Sequence, residues 1–193
     1  MPLSPVILGF GREGAMLLPE GWTGLDSRPH SPTESASTGD GQNLTWVPVW
    51  RCDSPWPAPF PNSAMGQRDL TVVLATYNEV EAVGPMVRQL LSQLDGEGGL
   101  LREVIVVDDD SPDGTADVVR QLGRQDPRIH LLLRCDRSGL ASAIRDGLLS
   151  ASGELAAVMD ADGQHDPSTI HTAVALLERQ GLDLVVASRF PAD

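Results

Sequence analysis

The rhythm of apolar and polar positions changes near residue 69. From Leu70 onward, apolar runs of strand length occur at 70–75, 103–107, 129–133, 155–159 and 183–187. Between them apolar residues recur every three to four positions, the spacing of a helix with one buried face. In the first such stretch Val80, Val83, Val87, Leu90, Leu91 and Leu94 share a face. The second is predicted to start at Ser111-Pro112, with serine as the N-cap and proline at the first helical position. The third spans about 139–151, with Leu140, Ile144 and Leu148 on one face. The fourth starts at Asp166-Pro167 by the same cap logic, and Ile170, Val174 and Leu177 face the core. Strand–helix alternation with short connections predicts an α/β fold with a mainly parallel sheet. Ligands of such sheets sit at the carboxyl ends of the strands.

Residues 1–69 show no such rhythm. They hold most of the prolines and all four tryptophans, in segments such as Ser31-Pro32-Thr33-Glu34-Ser35 and Pro55-Trp56-Pro57-Ala58-Pro59. Neither a helical nor a strand period is present, so 1–69 is expected to be an irregular or disordered extension. Gly9-Phe10-Gly11-Arg12-Glu13-Gly14 matches the dinucleotide-binding fingerprint, but only a short apolar stretch precedes it, and Pro19 and Gly21 stop any following helix. It is read as a chance match.

Composition narrows the function classes. The chain has 193 residues and a net charge of −13, which argues against a nucleic-acid partner and favours cation binding. All 14 basic residues are arginine. That excludes a phosphate-loop lysine, a Schiff-base lysine and a lysine general base. Cys52 and Cys135 give neither metal-ligand spacing nor a disulfide framework. A reducing, cytoplasmic setting is the expectation. No apolar run approaches the roughly 18 residues needed to span a membrane.

Polar motifs follow three of the apolar runs. The first run ends in Thr76-Tyr77-Asn78-Glu79. A tyrosine ring can stack on a base, and Asn or Glu can accept from base or ribose; a plain strand-to-helix turn explains the same residues. The second runs into Asp108-Asp109-Asp110-Ser111-Pro112-Asp113-Gly114-Thr115. Three successive carboxylates repel one another and call for partners. The fourth runs into Asp160-Ala161-Asp162-Gly163-Gln164-His165-Asp166. Carboxylates two apart can converge on one hard cation that keeps open positions for diphosphate oxygens. Arg137, in Arg137-Ser138-Gly139-Leu140, and Arg189, after the last run, are candidates to clamp a phosphate.

Taken in order, these motifs and Ser188-Arg189-Phe190 resemble the family 2 glycosyltransferases. The similarity is greatest to the dolichyl- or polyprenyl-phosphate mannosyltransferases, and it covers residues 70–193. The resemblance implies a GT-A, Rossmann-like fold with helices on both faces of the sheet. It also implies inverting transfer of a sugar, mannose from GDP-mannose in the favoured case, to a lipid monophosphate at the cytoplasmic membrane face. Tyr77, Glu79, Val106, Asp108, Asp109, Arg137, Asp160, Ala161 and Arg189 would form the donor side. Asp160, Asp162 and Gln164 would hold Mg²⁺ or Mn²⁺, and Asp162 and Arg189 would act in catalysis. Two positions depart from the family pattern: Ala75 stands in place of a proline, and Phe190 in place of a tyrosine. The family continues beyond Ser188-Arg189-Phe190 with acceptor-site elements, so residues 70–193 are expected to form a partial domain.

Two other readings compete. Val106-Val107-Asp108-Asp109-Asp110 also looks like the start of a phospho-accepting receiver domain, with Asp160 as the phosphorylated residue; the absence of lysine argues against it. The other is a truncated, inactive glycosyltransferase.

Overall fold

The computed structural model describes residues 6–9, 34–37, 43–48, 69–95, 99–136, 138–163, 165–180, 182 and 184–188. In chain order the strands are β1 (Val6–Gly9), β2 (Glu34–Ser37), β3 (Asn43–Pro48), β4 (Leu70–Thr76), β5 (Leu101–Asp108), β6 (Ile129–Leu133), β7 (Leu155–Asp160) and β8 (Leu184–Ser188). The helices are α1 (Val83–Leu94), α2 (Thr115–Gln125), α3 (Leu140–Ser150) and α4 (Thr169–Gln180). Among the described residues the strands form one sheet in the order β2-β3-β8-β1-β7-β4-β5-β6. It is parallel from β6 through to β8, and β3 and β2 add an antiparallel edge. The α/β class and the mainly parallel sheet are those the apolar runs predict.

Period-two alternation in the strands sends neighbouring residues to opposite faces. Val72, Leu74, Val104 and Val106 pack on one side with Val83, Met86, Val87 and Leu90 of α1, Val119 and Leu122 of α2, and Ile170, Ala173 and Leu177 of α4. Val73, Ile105, Val107 and Val158 turn to the other side, where Ala143 of α3 meets them. The helices therefore cover both faces.

Four expectations need correction. Residues 1–69 are not irregular throughout: β1 inserts between β7 and β8, and β2 and β3 extend the sheet beyond β8. Val6–Gly9 is a short apolar segment, and main-chain pairing on both sides can hold a strand that has no period to reveal it. Gly9 of the fingerprint ends that strand, while Gly11 and Gly14 lie outside the described residues.

The second helix begins at Thr115, not at Ser111-Pro112. The Ser111 hydroxyl is engaged with Asp108 and with the Asn78 amide instead of capping a helix. In the fourth, Asp166 does accept the amide of Ser168, but the regular helix starts only at Thr169.

The third helix is turned slightly, so that the apolar face meets the core only in part, with Ile144 and Leu148 packed at its margin. Leu140 is 57% exposed and Ile144 and Leu148 are only half-buried, whereas Ala143, Asp146 and Gly147 go inward. Gly147 explains the rotation: a Cβ there would lie 2.4 Å from Val73 Cγ1 and 3.0 Å from Val107 Cγ2. The helix comes closest to the sheet at Gly147.

At the amino ends of the strands, opposite the acidic loops, Glu103 is nearly buried. It accepts from the Thr71 hydroxyl (2.8 Å), the Ser152 amide (2.8 Å) and the Ser152 hydroxyl (2.8 Å), and His130 Nε2 lies 3.5 Å away. Burial alone would raise its pKa; the Ser152 and Thr71 hydrogen bonds and the His130 charge outweigh burial and hold the carboxyl below its ordinary 4.5. A folded-state pKa below the unfolded one gives stability that is present above pH 4.5 and lost as pH falls through the folded value. Glu103→Gln is expected to cost about 1–3 kcal/mol at pH 7. That gap should close in urea titrations repeated toward pH 3; a gap independent of pH would exclude the carboxylate as its source.

Candidate active site

Register places the candidate residues on one edge of the sheet. Thr76 is paired with Asp108 and Ala75 with Asp160, so β4, β5 and β7 end in one row. The two acidic loops are therefore not on neighbouring strands: β4 lies between them, and its own Tyr77–Glu79 loop fills the middle.

Asp108 is fully buried. The Thr76 hydroxyl (3.0 Å) and the Ser111 hydroxyl (2.7 Å) donate to its Oδ1, and the Ser111 amide (2.9 Å) donates to Oδ2. Asp109 is equally occupied. Its Oδ2 accepts the Gly139 amide at 2.7 Å, and its Oδ1 accepts Nε of Arg134 at 2.7 Å together with one guanidinium NH₂. The other NH₂ of Arg134 donates to Ser142 Oγ (2.8 Å) and Asp146 Oδ2 (3.1 Å). The Arg134 side chain is only 2% exposed. The partners that the acidic run calls for thus come from the chain itself. Asp110 is exposed and adopts a left-handed φ of 54°.

The β4 loop is bound from one side by the segment that follows. The amides of Asn78, Glu79 and Val80 donate to Ser111 Oγ, Thr115 Oγ1 and Asp113 Oδ2 at 3.0, 2.9 and 3.0 Å. Asn78 takes a left-handed φ of 60°, which asparagine tolerates better than most residues. Tyr77, 60% exposed, stands on the free side.

β7 delivers Asp160, half-buried, and then Asp162, exposed; Ala161 between them is buried in the core. His165 Nε2 is buried with no hydrogen bond among the described residues, 3.7 Å from Asp160 Oδ2. Glu79 faces this group. Burial first, then the charges of Asp162, Asp113 and Asp160, raise its pKa. Negative potential is therefore concentrated where β4 and β7 end, and a divalent cation would relieve it. Among the described residues no group of three or more His, Cys, Asp or Glu side chains is disposed to hold a metal ion. Two carboxylates suit a hard cation whose remaining positions go to water and substrate phosphates, the usual arrangement for Mg²⁺. Asp160 and Asp162 supply carboxylate oxygens, the donor type such an ion takes.

Several expected contacts change character. Val106 and Ala161 have their side chains in the core, so neither side chain lines an open pocket. Asp109 is committed to Arg134 and Gly139, which makes it a tie between loops. Arg137, Gln164 and Arg189 lie outside the described residues. Arg134 is the arginine that sequence reading missed; it directly follows β6, the same strand-end position that singles out Arg189.

The sequence model described as Glycosyl transferase family 2 matches residues 71–193. A dolichol-phosphate mannosyltransferase of Pyrococcus furiosus is 37% identical over 122 residues, 63% of this chain and 33% of the relative. A dodecaprenyl-phosphate galacturonate synthase of Rhizobium johnstonii is 33% identical over 129 residues, 66% of this chain and 38% of the relative. Among solved structures, a mannosyltransferase from Pyrobaculum calidifontis in complex with GDP-Man and Mn²⁺ aligns with 30% identity and a TM-score of 0.48, over 65% of this chain and 36% of that one. The chain spans about a third of the length of the curated relatives it matches.

Proposed function

Because the chain belongs to the family 2 glycosyltransferases, we propose that residues 70–193 bind the nucleotide-sugar donor in a metal-dependent hexosyltransferase that glycosylates a polyprenyl or dolichyl phosphate. The observation that carries this reading is the single row formed by the ends of β4, β5 and β7. It sets an exposed tyrosine between a hydrogen-bonded acidic loop and a carboxylate pair. Two curated relatives are named for sugar transfer to lipid phosphates, one with mannose and one with galacturonate. Mannose from GDP-mannose is the favoured donor on the motif resemblance.

In this reading Tyr77 stacks on the base and Glu79 faces the nucleoside, while Asp108, expected on the donor side but wholly buried, holds the Ser111 turn behind them. Asp160 and Asp162, with Gln164, hold Mg²⁺ or Mn²⁺, and Arg137 and Arg189 face phosphate. When bound, the ion offsets charge on the departing nucleoside diphosphate. An acceptor phosphate oxygen forms the new bond to the anomeric carbon as the bond to the diphosphate breaks, and the diphosphate leaves with the electron pair. The phosphate is already ionised at neutral pH, so no strong protein base is needed. Among the described residues no helix is long and apolar enough to cross a membrane. The proposed lipid acceptor is met at the cytoplasmic membrane surface.

Calorimetry with GDP-mannose tests the donor assignment. Binding is expected with Mn²⁺ and to be at least about tenfold weaker in EDTA, a difference of ~1.4 kcal/mol. Tighter binding of UDP-glucose would overturn the guanine assignment, and binding of no nucleotide would overturn the reading as a whole.

A further inference from the structure

We infer that Ser111, Asp113 and Thr115 are positioning residues that act on the donor through the Tyr77–Val80 loop; the inference rests on the function proposed above. Three successive main-chain amides, at Asn78, Glu79 and Val80, end on these three side chains. Those residues lie 33 to 36 positions further along the chain. A loop between a strand and a helix leaves such donors without a ladder partner, and each would otherwise need water or a ligand.

The direction of each bond is fixed by the proton count. A hydroxyl has one proton to give. Ser111 gives its proton to Asp108 Oδ1 at 2.7 Å, and Thr115 gives its own to Asp113 Oδ1 at 2.6 Å. Each hydroxyl oxygen is then left as an acceptor, which is what the Asn78 and Glu79 amides require. The carboxylates thus set the polarity of both relays. Asp113 uses its second oxygen on Val80 directly.

For Ser111 and Thr115 burial separates this role from ligand contact, while Asp113, exposed, is assigned to it by its bonds to the Val80 amide and to Thr115. Thr115 is wholly buried and Ser111 nearly so, and neither is accessible to a nucleotide. The loop they hold exposes Tyr77 and Asn78 on its other side and leaves Glu79 half-exposed. The clamp therefore fixes the backbone from which the candidate donor contacts project. It also holds the left-handed Asn78, a conformation that persists when its surroundings over-determine it.

The test compares Thr115→Val, which keeps the shape and removes the hydroxyl, with Thr115→Ser, which keeps the hydroxyl. Affinity for GDP with Mn²⁺ is read by calorimetry and amide exchange at residues 78–80 by NMR. Thr115→Val is expected to bind GDP about tenfold more weakly, the loss of one well-placed hydrogen bond, and to exchange the Glu79 amide faster. Thr115→Ser should stay within about twofold of the wild type on both readouts. If Thr115→Val does not fold, Ser111→Ala, which frees the Asn78 amide, carries the same expectation. Faster amide exchange with unchanged GDP affinity would overturn the inference and leave the proposed function standing. A wild type that binds no GDP would remove both.

Discussion

Asp162→Ala is expected to abolish the metal-dependent part of GDP-mannose binding. Residues that merely support a metal ligand cost roughly 10–100-fold in affinity when removed, so a direct ligand should sit at or above the upper end, about 100-fold. That is ~2.7 kcal/mol. The structural ground is the setting of the carboxylate. Asp162 is exposed at the end of β7, and its charge is the foremost after burial of those that raise the Glu79 pKa. Removing it lowers the potential that attracts the cation without opening a core cavity. The fold should therefore survive, and in EDTA the variant and the wild type should bind the nucleotide equally. Equal affinities with Mn²⁺ present would remove Asp162 from the metal site.

Arg134→Met is expected to be among the most damaging single changes to stability. It removes the buried cation that Asp109 and Asp146 share. Deleting one member of a buried ionic cluster costs about 3–5 kcal/mol, because the remaining charge is stranded. Lysine should restore less than half of the loss, since an ammonium cannot supply the fork that reaches Asp109, Ser142 and Asp146 together. Urea unfolding of the two variants checks both statements. A loss below about 1 kcal/mol in Arg134→Met, the scale of an exposed pair, would show that solvent reaches the cluster.

How far the sequence could be read depended on whether a partner was local. The strands from β4 onward and the core faces of α1 and α4 were legible, because burial repeats along the chain with the period of the element. The face of α3 was legible only in part, through Ile144 and Leu148. Leucines at helical spacing drew attention to Leu140, while the contact runs through Ala143 and Gly147, and Arg134 compensates the burial of Asp146. Apolarity alone cannot show that a small residue permits closer approach or that a charge has a buried counter-ion.

The acidic run shows the same limit at the site. Three carboxylates in sequence signal that partners are needed, not which ones. Asp108 finds Thr76 from 32 residues away and Asp109 finds Arg134 from 25, distances set by the parallel register. The motifs fall together at one edge of the sheet. What they could not show is that much of Asp108 to Thr115 is spent holding other loops.

β4 separating β5 from β7 has a consequence of scale. Adjacent strands stand about 4.8 Å apart, so the ends of β5 and β7 are roughly 9.6 Å from each other. Main-chain hydrogen bonds set that interval, and no choice of core side chain retunes it. The sheet thus fixes the interval at which the two acidic loops leave it, and Glu79, on the loop between them, feels the charges of both.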